Sequence, residues 1–372
     1  MLAAHATSEF GLSDLSLSLR RGGCTESESW PAASTCLIVV DLWDRHWCAS
    51  ATARVERLAP AVGRFVAAAR ARGVFIVHAP SNAASFYDGT PARDRALRAA
   101  SFQPPVPLTT QQQFGTTWCF RDPAREPSLP IDDSDGGCDC STPCENVDSI
   151  VWTRQHPAIE VDDDDGLTDD GSQLFNMLAE RGIRHALICG VHLNMCVLGR
   201  GFGVRQLLAM GMRVALVRDL TDAMYSPAAP PHVTHDEGTR LVVSHTETHL
   251  CPTIASTQLT GGEPFSFFSS SQAARRPLDA AAPRSKRAKA DAAEVRGGGL
   301  CARRVAVKSV TTLKSAATSK AGADTLDAGT DASKPEAEDE DESRMTALGY
   351  QKVLLKRGNR RTGGASDWGW VR

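Results

Sequence analysis

Cys196 sits in the run His185-Ala-Leu-Ile-Cys-Gly190-Val-His-Leu-Asn-Met-Cys196-Val, where an apolar stretch breaks at a glycine and a thiol follows at the expected start of a helix. A thiol in that position faces unpaired backbone N–H groups and the positive end of the helix dipole, which lower its pKa and favour the nucleophilic thiolate. The same N–H groups can hold the oxyanion of an acyl or amidine intermediate. Two further residues supply complementary chemistry: Asp41 follows the apolar run at 36–40, and Arg154 follows the run at 149–153. A carboxylate can take the thiol proton, while a cation orients that carboxylate and stabilises the thiolate as it attacks an electrophilic carbon. Each residue also has a plainer reading. A buried cysteine is often only a small hydrophobe, an aspartate after a strand is often a cap, and Arg154 could pair with the acidic run at 162–165.

For three residues so distant in sequence to meet, the chain must bring several strand ends to one edge. Residues 36–40 form a continuous β-branched apolar run, as expected of a parallel strand covered on both faces. Val55, Leu58, Val62, Phe65, Val66 and Ala69 then repeat at helical spacing, with Gly73 placed as a C-terminal cap. Residues 74–79, 149–153 and 186–189 read as the second, third and fourth strands. Between the last two, Asp169 or Asp170 caps a helix carrying Leu174, Met177 and Leu178. A helix follows Cys196 as far as Met210, a strand covers 213–217, another helix covers 232–249, and a short strand lies within 253–256. This alternation predicts a parallel α/β sheet with helices on both faces, whose reactive groups gather beyond the carboxyl ends of the strands.

Length and composition leave room for such a fold and exclude other classes. The chain has 372 residues, 42% of them hydrophobic, and a formal charge of −3, which offers no overall electrostatic case for nucleic acid or acidic membranes. No stretch approaches the ~18 apolar residues of a membrane span. The eleven cysteines are unevenly spaced, and Cys36 and Cys189 lie in strand-like runs, which fits a reducing compartment. The sequence divides into an N-terminal extension at 1–34, partly ordered, an α/β domain at 35–268 and a low-complexity tail at 269–372 expected to be disordered. The tail carries a basic cluster at 284–289, an acidic block at 336–342 and a short apolar stretch at 350–356 that suits a strand or helix. A cytoplasmic location is expected, with nuclear import through the basic cluster as a variant.

Val39-Val-Asp41-Leu-Trp-Asp44, then Gly190-Val-His-Leu-Asn-Met-Cys196-Val197, then Asp219-Leu-Thr-Asp222-Ala223 together resemble the isochorismatase-like cysteine hydrolases, a superfamily that includes nicotinamidases and N-carbamoylsarcosine amidohydrolases. The resemblance spans about residues 35–257 and lies in the order and spacing of the motifs. It implies a three-layer αβα fold of Rossmann-like topology, an Asp-Lys-Cys triad, frequent homo-oligomerisation, and hydrolysis of an amide, carbamoyl or vinyl ether bond. On that pattern Asp41 and Cys196 take the acid and nucleophile positions, and Arg154 takes the lysine position. A guanidinium keeps the charge but cannot shuttle a proton. Leu193 stands where the family commonly has a threonine. The resemblance also implies a non-proline cis peptide between Val191 and His192, with Met195 and Cys196 offering N–H groups for an oxyanion hole. These departures leave two functional readings: a hydrolase of a small amide-like molecule, or a catalytically altered member that binds a partner.

Trp43, His46, His78, His192 and Asn194 are the candidates to shape a substrate pocket. Nicotinamidases of this superfamily hold a divalent ion through carboxylate and imidazole groups, but no matching pair follows the second strand here, so no metal and no cofactor are expected. Cys138, Cys140 and Cys144 form a Cys-x-Cys-x3-Cys loop that lacks the paired Cys-x2-Cys signature of zinc sites. With Cys119 as a possible fourth ligand they could bind zinc; reduced thiols are the expectation.

Overall fold

The computed structural model describes residues 14–145, 147 and 149–267, together with the backbone of 351–354 and 368–371. The basic and acidic clusters of the tail lie outside the described residues. In chain order the elements are β1 (Leu15–Arg21), β2 (Cys24–Trp30), β3 (Thr35–Val40), α1 (Ala49–Arg70), β4 (Phe75–Ala79), α2 (Pro91–Arg98), β5 (Gln112–Gln113) and β6 (Thr116–Thr117). They continue with β7 (Gly166–Leu167), α3 (Gly171–Glu180), β8 (His185–Val191), a π-helical turn at Leu193–Val197, α4 (Val204–Ala209), β9 (Arg213–Asp222), α5 (His235–His249) and β10 (Thr253–Ile254). Separately, Gln351–Leu354 pairs antiparallel with Trp368–Val371.

The main sheet runs β2-β1-β10-β9-β8-β3-β4-β7. Its six strands from β10 to β7 are parallel, and β1 and β2 add an antiparallel hairpin at one edge. Alternation along β3 shows why the centre reads as unbroken hydrophobe. Cys36, Ile38 and Val40 pack on one face with residues of α3, α4 and α5, while Leu37 and Val39 pack on the other against the Val55, Leu58, Val62 and Phe65 stripe of α1. The result is an α/β unit of three layers with a mainly parallel sheet, as the alternation predicts. At α3 the cap is Asp170, whose Oδ1 accepts from Ser172 N–H at 2.8 Å and Gln173 N–H at 2.9 Å.

Three sequence expectations change. The helix expected from Cys196 to Met210 is interrupted at 200–203, so that a π-helical turn precedes α4. β1 and β2 lie within the expected N-terminal extension yet join the main sheet. Residues 149–153 form no strand, and the place beside β4 belongs to β7. The β-branched run is instead a loop with Ile150 and Val151 exposed, held by Asp44, which accepts from the Thr153 N–H at 2.9 Å and from its hydroxyl at 2.6 Å. Strand-like composition did not decide its structure because side-chain anchoring replaced backbone pairing.

Candidate active site

Asp41 directly follows β3 and turns with φ 50°, which lifts its carboxylate out of the strand pleat. Neighbouring β8 does not stop at Gly190. It continues to Val191 because Gly190 takes φ 119°, and a side chain there would overlap the backbone carbonyl of Val40. The Val191–His192 peptide is cis, as the sequence resemblance implies. The π-helical turn then carries Cys196 to the same sheet edge as Asp41, and the next turn places Arg200 four residues on, its N–H donating to the Cys196 carbonyl at 3.0 Å. Four-residue spacing stacks two side chains on one helical face.

Arg200, not Arg154, is the cation of this group. Its Nε lies 3.6 Å from Asp41 Oδ2, with both side chains almost wholly buried. Arg154 is exposed, its guanidinium over the Phe86 ring at 5.6 Å. The order of strands and the lysine position of the family pattern both point to Arg154, but no strand at 149–153 carries it to the sheet edge. The available signal for Arg200 was the four-residue spacing from the thiol. Arg200 also fastens the loop above it: Nη1 donates to the carbonyl oxygens of Gln113 and Phe114 and to Thr116 Oγ1, and the guanidinium lies over Trp118.

The electrostatics reverse one expectation. Burial pushes the Cys196 thiol up to about 12, opposed by the Arg200 charge. The desolvation cost of an anion exceeds what the helix terminus returns, so the resting sulfur carries its proton. Burial also raises Asp41, while Arg200 and the Cys196 thiol act in the opposite direction. Asp41 Oδ1 accepts from the Ser81 N–H at 2.6 Å, leaving Oδ2 toward Arg200. At 3.6 Å that pair is longer than a hydrogen bond. Asp41 Oδ2 and Arg200 Nε are therefore buried without hydrogen-bond partners among the described residues, and His192 Nε2 is separately in the same condition.

A cavity of about 250 Å³ opens over Cys196 and Arg200. Its wall is aromatic: Trp43 and Trp152 stack with centroids 4.0 Å apart, and His46 lies parallel to Trp152 at 5.8 Å. His192 meets His46 edge-on at 5.0 Å. Burial lowers both imidazoles, His46 to about 4 with help from Arg54, so both are neutral near pH 7.

Of the five pocket candidates, Trp43, His46 and His192 line the cavity, whereas His78 and Asn194 do not. His78 is buried between Gln155 Oε1 at 3.1 Å and Asp165 Oδ2 at 2.9 Å. Asn194 is a brace: its amide donates to Asp133 Oδ2 and the Met224 carbonyl and accepts from the Met224 N–H. Met195 lines the cavity with its side chain, but its N–H already donates to the His192 carbonyl at 3.0 Å and is not available to an oxyanion. Val191 and Leu193 are fully buried.

No protein-family model matches this chain, and no curated protein matches it. Solved structures similar to it include a cysteine hydrolase from Pseudomonas syringae pv. phaseolicola 1448A, 14% identical, covering 62% of this chain and 92% of that one at a TM-score of 0.37. An isochorismatase family protein from Burkholderia thailandensis is 14% identical over 61% of this chain and 94% of that one, with a TM-score of 0.34. An isochorismatase from Pseudomonas putida KT2440 is 13% identical over 61% and 91%, with a TM-score of 0.35. Among the described residues no helix is long and apolar enough to cross a membrane.

Proposed function

We propose that this chain is a thiol hydrolase that cleaves a small amide, carbamoyl or related acyl compound through a covalent intermediate on Cys196. One observation carries the reading. The Cys196 thiol and the Arg200 guanidinium line an aromatic cavity, the buried Asp41 carboxylate lies 3.6 Å behind that guanidinium, and Asp41 Oδ2 and Arg200 Nε have no hydrogen-bond partner among the described residues. Most buried polar atoms in folded proteins are hydrogen-bonded, so an unsatisfied acid and guanidinium beside a buried thiol mark a candidate site. The order and spacing of the Asp41 and Cys196 motifs support the same class.

Because the thiol rests protonated, attack needs a base at the moment of reaction. Asp41 takes the Cys196 proton as Sγ bonds to the substrate carbonyl carbon, and the carbonyl π electrons move to oxygen. The N–H of Cys196 is the donor proposed for that oxyanion. Collapse of the tetrahedral species breaks the C–N bond, and protonated Asp41 returns its proton to the leaving amine, leaving a thioester. Water, deprotonated by Asp41, then attacks the thioester; the carboxylic acid departs and the thiolate recovers the proton. Arg200 stays charged throughout and holds the single negative charge that moves between carboxylate and sulfur. A cavity of about 250 Å³ falls at the lower edge of small-molecule sites, and the stacked Trp43 and Trp152 suit a compact substrate with a flat apolar part.

The test incubates the folded protein with a panel of small amides, carbamoyl compounds and activated acyl esters and measures intact mass and amine release. The expected result is an acyl mass increment localised to Cys196, lost in Cys196→Ala together with turnover. Turnover undiminished in Cys196→Ala, or the absence of adduct and turnover across the panel, overturns the reading.

A further inference from the structure

Away from the cavity floor, four more sulfurs converge. Cys48 Sγ lies 3.5 Å from Cys138 Sγ and 3.7 Å from Cys140 Sγ, Cys144 Sγ lies 3.4 Å from Cys140 Sγ, and all four fall within 4.8 Å of one another. None of the four is in a disulfide. We propose that Cys48, Cys138, Cys140 and Cys144 form a structural zinc site. Four thiolates around zinc at about 2.3 Å stand roughly 3.8 Å apart at the corners of a tetrahedron, which the observed separations approach. Cys119, the fourth ligand considered from sequence, is not in the group. It sits beside Gly199, its N–H donating to that carbonyl at 2.6 Å. Cys48 was hidden because it lies in sequence ninety positions before Cys138, outside any local signature.

The surroundings suit thiolates. Cys48 is the N-cap of α1, a 22-residue helix, and two N–H groups of its first turn donate to the sulfurs: Ala49 to Cys144 at 3.4 Å and Ser50 to Cys140 at 3.3 Å. The Ser50 hydroxyl lies 3.0 Å from Cys140 Sγ. Such N–H to sulfur bonds spread the negative charge of a metal-bound thiolate, and the helix dipole acts in the same sense. Arg54, one turn further along α1, brings a cation to the ligand loop by holding Asp139 at 2.8 Å and Asp222 at 2.7 Å.

The chain leading to the cluster is shaped for a close approach. Gly136 and Gly137 both have positive φ, and a Cβ on Gly137 would meet the Met224 backbone at 2.6 Å, so only glycine lets Cys138 reach Cys48 by this route. Four protein ligands close a tetrahedron and leave no position for water or substrate, which makes the role structural. The consequence is local. Residues 121–145 contain no helix or strand, yet this loop supplies Gly136 to the cavity wall and Asp133 to the Asn194 brace. A metal joining it to the start of α1 would replace the backbone pairing that the loop lacks.

The experiment measures metals in full-length protein purified with reductant and without chelator, by plasma mass spectrometry. About one zinc per chain is expected. Replacement with Co2+ is expected to give the near-ultraviolet sulfur-to-metal charge transfer and strong visible bands of a tetrahedral tetrathiolate. Cys140→Ser and Cys144→Ser should lower zinc at least tenfold, while Cys119→Ser and Cys196→Ser retain it. Wild-type protein with less than a tenth of an equivalent of zinc, the four cysteines paired as disulfides, or iron in place of zinc would each overturn the proposal. Since wild-type stoichiometry and the cobalt spectrum do not depend on any variant folding, the outcome is also independent of Cys196 chemistry.

Discussion

Replacing Arg200 with methionine tests the assignment of the cation directly. The substitution keeps the length of the side chain and removes its charge and its fork of donors. At 3.6 Å from Asp41, the guanidinium contributes about 4 to 5 kcal/mol to the anionic state of the Asp41–Cys196 pair, for an effective dielectric of ~20. Without it, burial favours a neutral carboxyl beside a neutral thiol, and forming the attacking thiolate must first restore the negative charge. The rate of Cys196 modification should then fall by about 10³ to 10⁴-fold. Alkylation of Cys196 by a small uncharged acrylamide reads this out, with peptide mass spectrometry separating this thiol from the others. Arg154→Met should leave the rate within about twofold, since Arg154 is exposed and sits over Phe86. Arg200→Lys retains the charge and should recover the rate to within about tenfold, while loosening the contacts to Gln113, Phe114 and Thr116. Thermal unfolding of each variant separates lost chemistry from lost structure. An Arg200→Met protein that is folded and alkylates Cys196 as fast as wild type would refute the electrostatic argument.

Other consequences follow from the same geometry. With the thiol near 12, direct thiolate reaction would climb tenfold per pH unit from pH 7 to 9.5. Proton removal by ionised Asp41 should instead give a nearly level alkylation rate over that range, and a unit slope would exclude Asp41 as the base. Glu126 is held at about 2 against burial by Arg205 at 2.8 Å and His245 at 3.2 Å. Its folded value lies below its unfolded one, so this stabilisation is complete above the unfolded value and disappears as pH falls toward 2. Glu126→Gln should therefore lose ~3 kcal/mol in urea unfolding at pH 7 and clearly less at pH 3, whereas an equal loss at both would count against the ion pair. Gly190→Ala should cost more than about 4 kcal/mol or prevent folding, because the added methyl overlaps the Val40 carbonyl at positive φ. A variant of near wild-type melting temperature would show that β8 and β3 can separate.

Most of the layer order was legible because β3 and β8 are buried on both faces and α1 repeats at helical spacing, both of which depend only on local pattern. The strand placed at 149–153 failed for a physical reason. Ile150 and Val151 have strand-like chemistry, but the side chain of Asp44 occupies the Thr153 N–H that a neighbouring strand would have needed. The absence of that strand also removes Arg154 from the site, since both its place at a strand end and its match to the lysine position depended on residues 149–153 reaching the sheet edge. The pocket histidines divide the same way. His46 and His192 follow directly from the Asp41 and Cys196 motifs and reach the cavity, while His78, within β4, points into a network with Asp165 that sequence spacing does not reveal.

The position of Cys196 at a helical start suggested a ready thiolate; its burial argues for the opposite resting state and so determines the division of labour. A helix terminus acts over the first turn and returns typically 0.3–1 kcal/mol, rising to ~2 kcal/mol in partly buried geometry. Withdrawing an anion from water costs several kcal/mol. The thiol is only 5% exposed and is pushed up, so the dipole loses this contest unless another charge is close. Arg200 is that charge, but it serves one negative charge at a time, because Asp41 and the thiolate compete for the same guanidinium. The proton must therefore pass from sulfur to carboxylate in the step that uses the sulfur. On this account Asp41→Asn should be as damaging to Cys196 alkylation at pH 7 as Arg200→Met, about 10³-fold or more, although it removes a charge of opposite sign. Faster alkylation in Asp41→Asn would mean that Arg200 alone can hold a thiolate and that Asp41 only suppresses it, a result that would reverse the roles assigned to the pair.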